Sequence, residues 1–188
     1  MIFGDKDQFA LEITPTIIGG YYGSGPAVMW IAGHCIGDPS EQVTLGDLTT
    51  ELFGVVLCNR KRESYEAFRM EKVLLFKRMN ATMFYSDEPF IPFDDASFFY
   101  VGAMSESIRS SKVYAIFFED KCRLLFNIGS EVHEHIIDRV TFEDVTYSAC
   151  SFAWYKTEVQ TDPKRYPTDF MVDLAKQFAV HGRTAMDD

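Results

Sequence analysis

Residues 28–38 read VMWIAGHCIGD, with alternating side chains on both sides of Ala32-Gly33. The pair fits a two-residue hairpin turn, in which glycine supplies one of the positive φ values that such turns require. In that register Ile31 faces His34, Trp30 faces Cys35 and Met29 faces Ile36. A tight hairpin makes its sheet antiparallel, so this short stretch restricts the fold class more than any other. It also tests a tempting piece of chemistry, because His34 and Cys35 are the residue types of a base and a nucleophile. Successive strand residues point to opposite faces, so the two diverge and neither activates the other. Trp30 and Cys35 are expected to pack as a pair instead.

The remaining patterning extends the antiparallel reading. QFALEIT (8–14) alternates as a strand, and IIGGYYGSGP supplies a loop. Thr44 opens a helix with Asp47 in the capping-box position, and Leu45, Leu48, Leu52 and Val55 form its apolar face. Ser64 opens a second helix running to Asn80. Pro89 and Pro92 keep the segment after it irregular. SFFYVGA (97–103), KVYAIFFE (112–119) and RLLFNI (123–128) read as strands, the last two joined tightly through EDKC. VHEHIIDRV (132–140) reads as a further strand, although its apolar residues also fit a helix. Thr141 and Asp144 frame the start of an amphipathic helix carrying Phe142, Val145, Ala149 and Phe152, to about Lys156. Thr168 caps a last helix with a Phe170, Leu174 and Phe178 stripe, stopped at Gly182. The fold class expected is α+β: a largely antiparallel sheet packed with about three to four helices, in a single domain over residues 1–188.

Several chemical motifs dissolve under the same treatment. In EVHEH, a strand would place Glu131, His133 and His135 on one face, which suits two imidazoles and a carboxylate around zinc. A helix would set the two histidines about 200° apart. No separate Cys or His pair supplies the remaining ligands at a recognisable spacing. The glycine-rich GGYYGSG lacks both the Lys-Ser/Thr ending of a phosphate loop and the strand–GxGxxG–helix setting of a dinucleotide site. No catalytic residue, cofactor or metal is therefore expected. The four cysteines, Cys35, Cys58, Cys122 and Cys150, show no CxxC spacing. No leader is visible, and the longest apolar runs fall far short of the ~20 residues that cross a bilayer. A cytoplasmic protein with free thiols is the expectation.

Charge narrows the partners. The formal net charge is −10, with 8 basic against 13 acidic residues through Asp94 and 10 against 15 after it. Such a chain repels phosphate backbones and anionic membranes, so neither nucleic acid nor membrane is an expected ligand, and a basic protein is. Between Arg78 and Arg109 no Lys or Arg occurs. Tyr85, Asp87, Glu88, Phe90, Phe93, Asp94 and Asp95 make that interval acidic and aromatic, offering anchors and electrostatic steering to a basic partner. Glu131, Glu134 and Asp138 form a second candidate patch, with Glu143 and Asp144 nearby.

The opening MIFGDKDQFALEIT, followed by VMWIAGHCIGD and TLGDL, resembles the bacterial immunity protein 42 family, whose members accompany polymorphic or contact-dependent toxins. The similarity is anchored in Met1 to Asp5, Phe9 to Leu11 and Trp30 to Asp38. VYAIFFEDKCRLLFN followed by FEDV extends it to about residue 158, and residues 159–188 carry none. Ala32 stands where a more turn-favourable residue is expected before Gly33. The resemblance implies neutralisation of a cognate toxin domain by tight binding in the cytoplasm, with no reaction catalysed. A basic nuclease is the kind of toxin that an acidic inhibitor suits. Two other readings stay open on the residues alone: a small metal-dependent hydrolase using Glu131, His133 and His135, and an adaptor for another cellular partner.

Overall fold

The computed structural model describes residues 1–17, 22–85 and 96–158. In chain order its strands and α-helices are Ile2–Asp5 (β1), Phe9–Ile13 (β2), Ser24–Gly25 (β3), Ala27–Ile31 (β4), His34–Ile36 (β5), Val43–Thr44 (β6), Leu45–Leu57 (α1), Tyr65–Arg69 (α2), Lys72–Asn80 (α3), Glu106–Ser110 (α4), Tyr114–Phe118 (β7), Lys121–Ile128 (β8), Glu131–Asp138 (β9) and Arg139–Glu158 (α5). All the sheets are antiparallel. One has the order β1-β2-β4-β5, a second pairs β3 with β6, and a third has the order β7-β8-β9. The α+β expectation holds, with five α-helices among the described residues, two of them only five residues long. Among the described residues no helix is long and apolar enough to cross a membrane.

Period-two burial fixes the larger core. Phe9, Leu11 and Ile13 of β2 point inward with Met29 and Ile31 of β4 and Ile36 of β5. Helix α1 adds Leu45, Leu48, Leu52 and Val55, the face read from the sequence. Helix α5 closes this core with Phe142, Val145, Ala149 and Ala153, and Phe142 stacks on Phe9 with ring centroids 5.0 Å apart. The third sheet is covered on both faces. Phe117, Cys122, Leu124 and Phe126 face the large core, while Tyr114, Ile116 and Leu125 face a smaller one built with Ala67, Leu75, Phe76, Met79 and Phe99.

The hairpin has the expected register, Met29↔Ile36, Trp30↔Cys35 and Ile31↔His34. Ala32 has φ 50° and Gly33 φ 79°, so both central residues are left-handed, as a primed turn needs. Alanine pays about 1–2 kcal/mol for that backbone. Two bonds from the neighbouring turn hold it there: the Ala32 amide donates to Gln8 O at 3.1 Å and the Gly33 amide to Lys6 O at 2.9 Å.

Four local readings are corrected. The helix expected from Ser64 to Asn80 is two helices, broken at Met70-Glu71. Ser64 caps the first, and the Glu71 carboxylate takes the amides of Val73 and Leu74 at 2.9 and 2.8 Å to start the second. SFFYVGA is not a strand. Its start is a 3-10 turn, Ala96–Phe99, and Tyr100 makes only an isolated bridge to Tyr114. Phe99 and Val101 are buried through this turn without any ladder. Helix α5 begins at Arg139, not at a Thr141 cap, because β9 runs straight into it and Arg139 pairs with Glu143 one turn on at 2.9 Å. Finally, β1 and α4 have no counterpart in the element-by-element expectation. The helix expected from Thr168 lies outside the described residues.

Gly4 sits in β1 at φ +93°, and a Cβ there would meet Phe9 O at 2.3 Å and a Val145 methyl at 2.6 Å. Gly54, exposed in the middle of α1, has nothing within 4 Å. Gly4→Ala should therefore lower stability by roughly 2–4 kcal/mol, combining overpacking with backbone strain. Gly54→Ala should raise it by about 0.5–1 kcal/mol through helix propensity alone. Urea titration of the two variants beside the parent checks both signs.

Candidate functional site

Alternation decides the fate of the His34-Cys35 pair. On the outer face of the first sheet Trp30 lies opposite Cys35. The Trp30 indole N–H donates to Glu12 Oε2 at 3.0 Å, Lys6 Nζ pairs with the same oxygen at 2.7 Å, and Lys6 Nζ also sits 4.0 Å from the centre of the Trp30 ring. Burial, then the Glu12 charge, pushes the Cys35 thiol above its ordinary pKa, away from the thiolate that a nucleophile needs. His34 points the other way, toward the third sheet, with its ring 5.4 Å from His133 and 6.1 Å from Phe126. The dyad is split across the sheet.

The GD after the hairpin ties the first sheet to α4. A side chain at Gly37 would meet Ile108 at 2.8 Å, and the Asp38 amide donates to Ser107 Oγ at 2.7 Å. The Asp38 carboxylate accepts from the Ser40 hydroxyl and amide, which holds it below its ordinary pKa. Glu41 then reaches the start of α4 and accepts from the Glu106 and Ser107 amides at 3.0 and 3.1 Å and from the Ser107 hydroxyl. Burial opposes the Glu41 charge, but these bonds outweigh it and its carboxyl titrates low.

Strand β9 distributes the second sequence patch over two faces. Glu131, His133 and His135 share the face that turns toward the large core. The His133 ring stacks on Phe126, centroids 5.5 Å apart, with Nε2 3.8 Å from the Glu131 carboxylate. His135 Nε2 is buried without a hydrogen-bond partner. Among the described residues no three His, Cys, Asp or Glu side chains are grouped to hold a metal ion. Glu134, Ile136 and Asp138 share the opposite face. Arg123, only 5% exposed, donates from Nε and Nη2 to Glu134 Oε2 at 2.9 and 2.6 Å and from Nη1 to the Ala67, Phe68 and Met70 carbonyls at 2.8–3.1 Å. Asp138 pairs with Lys121 at 2.5 Å. Glu131 is thereby separated from Glu134 and Asp138, while all three remain solvent-accessible.

Of the acidic-aromatic interval, Asp87, Glu88, Phe90, Phe93, Asp94 and Asp95 lie outside the described residues. Tyr85 ends a π-helical turn, Ala81–Tyr85, and its side chain is likewise outside. The flank before it is anchored where Phe84 meets Tyr100 edge-to-face at 5.7 Å.

One feature escaped the sequence reading. A cleft of about 340 Å³ opens between α1 and α4, with Asp47, Glu51, Glu106 and Arg109 in its wall. Asp47, expected at the capping-box position, does sit at the helix start and exchanges hydrogen bonds with Thr44. Glu51, one turn further along, faces the cleft, and that i, i+4 repetition of acids was the available signal. Burial pushes the Glu51 carboxyl above its ordinary pKa, Arg109 pulls it back and Asp47 pushes it further up.

Compared with known proteins, the chain matches the family described as immunity protein 42 over residues 1–152. No curated protein gives a significant match. Among solved structures it resembles the crystal structure of CdiI from Burkholderia dolosa AUO158, with a TM-score of 0.60 and 17% identity, covering 81% of this chain and 99% of that one. At that identity the likeness is one of fold.

Glu51 carries a testable cost. With its folded-state pKa raised, the ionised carboxylate destabilises the fold above that pKa, and the cost vanishes as pH falls below the unfolded-state value. Glu51→Gln should therefore raise the melting temperature at pH 7–8, with the gain fading toward about pH 4. A gain that does not change with pH would point to packing instead.

Proposed function

The chain belongs to the immunity protein 42 family, and we propose that it neutralises its cognate toxin domain by stoichiometric binding in the cytoplasm, with no catalysed step. The observation that carries this reading is the family match over residues 1–152. The geometry is compatible with it: the His-Cys pair is split, and the described carboxylates of β9 engage in internal bonds while keeping an exposed side. The toxin we assign is basic, a nuclease of the polymorphic or contact-dependent kind. The support is the −10 charge of the chain, which speeds association with a cationic surface.

The toxin-contacting residues we propose are those of the acidic-aromatic interval, Tyr85, Asp87, Glu88, Phe90, Phe93, Asp94 and Asp95, together with Glu131, Glu134 and Asp138. Aromatic side chains supply buried contact area and the acids around them steer encounter. Much of the first 50 residues is engaged internally: Gly4 against α5, Trp30 with Glu12, Gly37 against Ile108 and Asp38 with Ser40. That division supports a shared frame with recognition placed elsewhere.

Growth of cells producing the cognate toxin domain, with and without this protein, tests the function directly. Protection that needs roughly equimolar protein supports binding, and protection at far lower ratios would argue for catalysis. For placement, Asp87→Ser, Glu88→Ser, Asp94→Ser and Asp95→Ser combined should slow association with the toxin about tenfold at low ionic strength. The difference should narrow toward 0.5 M salt as screening removes steering. Stopped-flow association rates across a salt series measure it, and unchanged rates would put the docking surface elsewhere.

A further inference from the structure

Strand β9 is the outer strand of the β7-β8-β9 sheet. Among the described residues, the backbone of Glu131–Ile137 bonds only to β8, while the Asp138 carbonyl, just before Arg139, belongs to the first turn of α5. Which of its groups face outward follows from the ladder. The Arg139 amide donates to Asp120 O at 2.7 Å, in line with the adjacent pair Lys121↔Asp138. In an antiparallel ladder hydrogen-bonded and non-bonded pairs alternate. Residues 131, 133, 135 and 137 therefore bond to β8, and Val132, Glu134 and Ile136 turn their N–H and C=O groups away from the sheet, as Asp138 does its N–H.

The side chains along this edge define what would lie beside it. Glu134, Ile136 and Asp138 project from one face in the order acid, apolar, acid, and Ile136 is 51% exposed. Both Arg123 bonds to Glu134 go to Oε2, which leaves Oε1 without a donor among the described residues. Lys121 answers Asp138 but also sits 3.5 Å from Asp120, so that group keeps a negative excess. Opposite charges placed across a strand pair stabilise it, and like charges destabilise it. A second copy of β9 laid along this edge would set acids against acids, so the edge resists self-pairing. A strand with a basic–x–apolar–x–basic order would meet it with opposite charges and an apolar contact at Ile136.

We propose that the outer edge of β9 receives an extended basic segment of the toxin as an added strand, extending the β7-β8-β9 sheet to four. The proposal rests on the immunity reading above and specifies how the partner is held. Main-chain hydrogen bonds to residues 132–138 hold the segment, and Glu134, Ile136 and Asp138 select its sequence.

Hydrogen exchange of the full-length protein, alone and saturated with its toxin domain, tests this residue by residue. The amides of Val132, Glu134, Ile136 and Asp138 should exchange quickly in the free protein and slow by about tenfold or more in the complex. Those of His133, His135 and Ile137 should be protected in both. Ile136→Pro removes an outward amide and no ladder bond, so the fold should survive while toxin affinity falls about tenfold or more. Ile136→Lys, which keeps the amide but sets a cation against a basic strand, should weaken binding in the same direction. A complex that forms with unchanged exchange at residues 132–138, and with both variants binding as the parent does, would overturn the edge proposal and leave the immunity function standing. Protection of these amides already in the free protein would overturn it too, by showing that another part of the chain covers the edge. Failure to form any complex with the toxin would remove the immunity reading itself, and the proposal with it.

Discussion

A guanidinium held almost out of water organises the second half of this fold. Burying the Arg123 guanidinium takes a charge and its N–H donors out of water, so the surrounding structure must supply partners for them. Three come from the backbone carbonyls of Ala67, Phe68 and Met70 and one from the Glu134 carboxylate. Those carbonyls lie at the end of α2, where a continuing helix would use them internally. The Ala67 carbonyl still takes the Met70 amide, but the Arg123 bonds at this end, with Glu71 capturing the next amides, separate α2 from α3. On the other side, Glu134 is the diagonal neighbour of Arg123 across the β8–β9 ladder, so the same contact pins the register of β9. Helix break, sheet register and the small core between them follow from one residue's need for partners.

That dependence explains what could be read from the chain and what could not. The hairpin of residues 29–36 and the buried face of α1 are set by neighbours within a few positions, and the structure agrees with the sequence pattern in both. The break at Met70-Glu71 depends on Arg123, more than fifty positions away, and local periodicity reads across it as one helix. Helix α4 is capped locally by Ser105, which takes the Ile108 amide, and a second time by Glu41 from about 65 positions upstream. SFFY reads as strand because aromatic residues favour pleated surfaces, yet Phe99 reaches the small core from a turn. For the candidate sites, alternation alone separates His34 from Cys35, whereas Glu131, Glu134 and Asp138 read as one patch until the strand divides them between two faces. Alternation could not reveal that Glu51 faces a cleft, since the far wall comes from α4.

The charge of the chain is arranged so that structural and exposed roles coexist in single residues. Glu134 gives one oxygen to Arg123 and leaves the other open, while Asp138 shares Lys121 with Asp120. Glu12 serves both Lys6 and Trp30 on the outer face of the first sheet. Internal partners hold these carboxylates in fixed geometries, so a surface built from them is preorganised and a partner need not order loose side chains on docking. Buried Arg62 follows a related rule at the end of α1, where it caps the Val55 carbonyl and bonds Asn59 at 2.8 Å.

The Ala32 turn carries a consequence for how the molecule assembles. Its left-handed alanine is unfavourable in isolation, and the carbonyls that hold it belong to Lys6 and Gln8, in the turn between β1 and β2. The β4–β5 hairpin is thus not an autonomous nucleus, since its tip closes most favourably on a turn already in place. That turn leaves the ribosome first. This earlier turn serves as a template on which the next hairpin sets, and the four-stranded sheet can grow in the order in which its strands are synthesised.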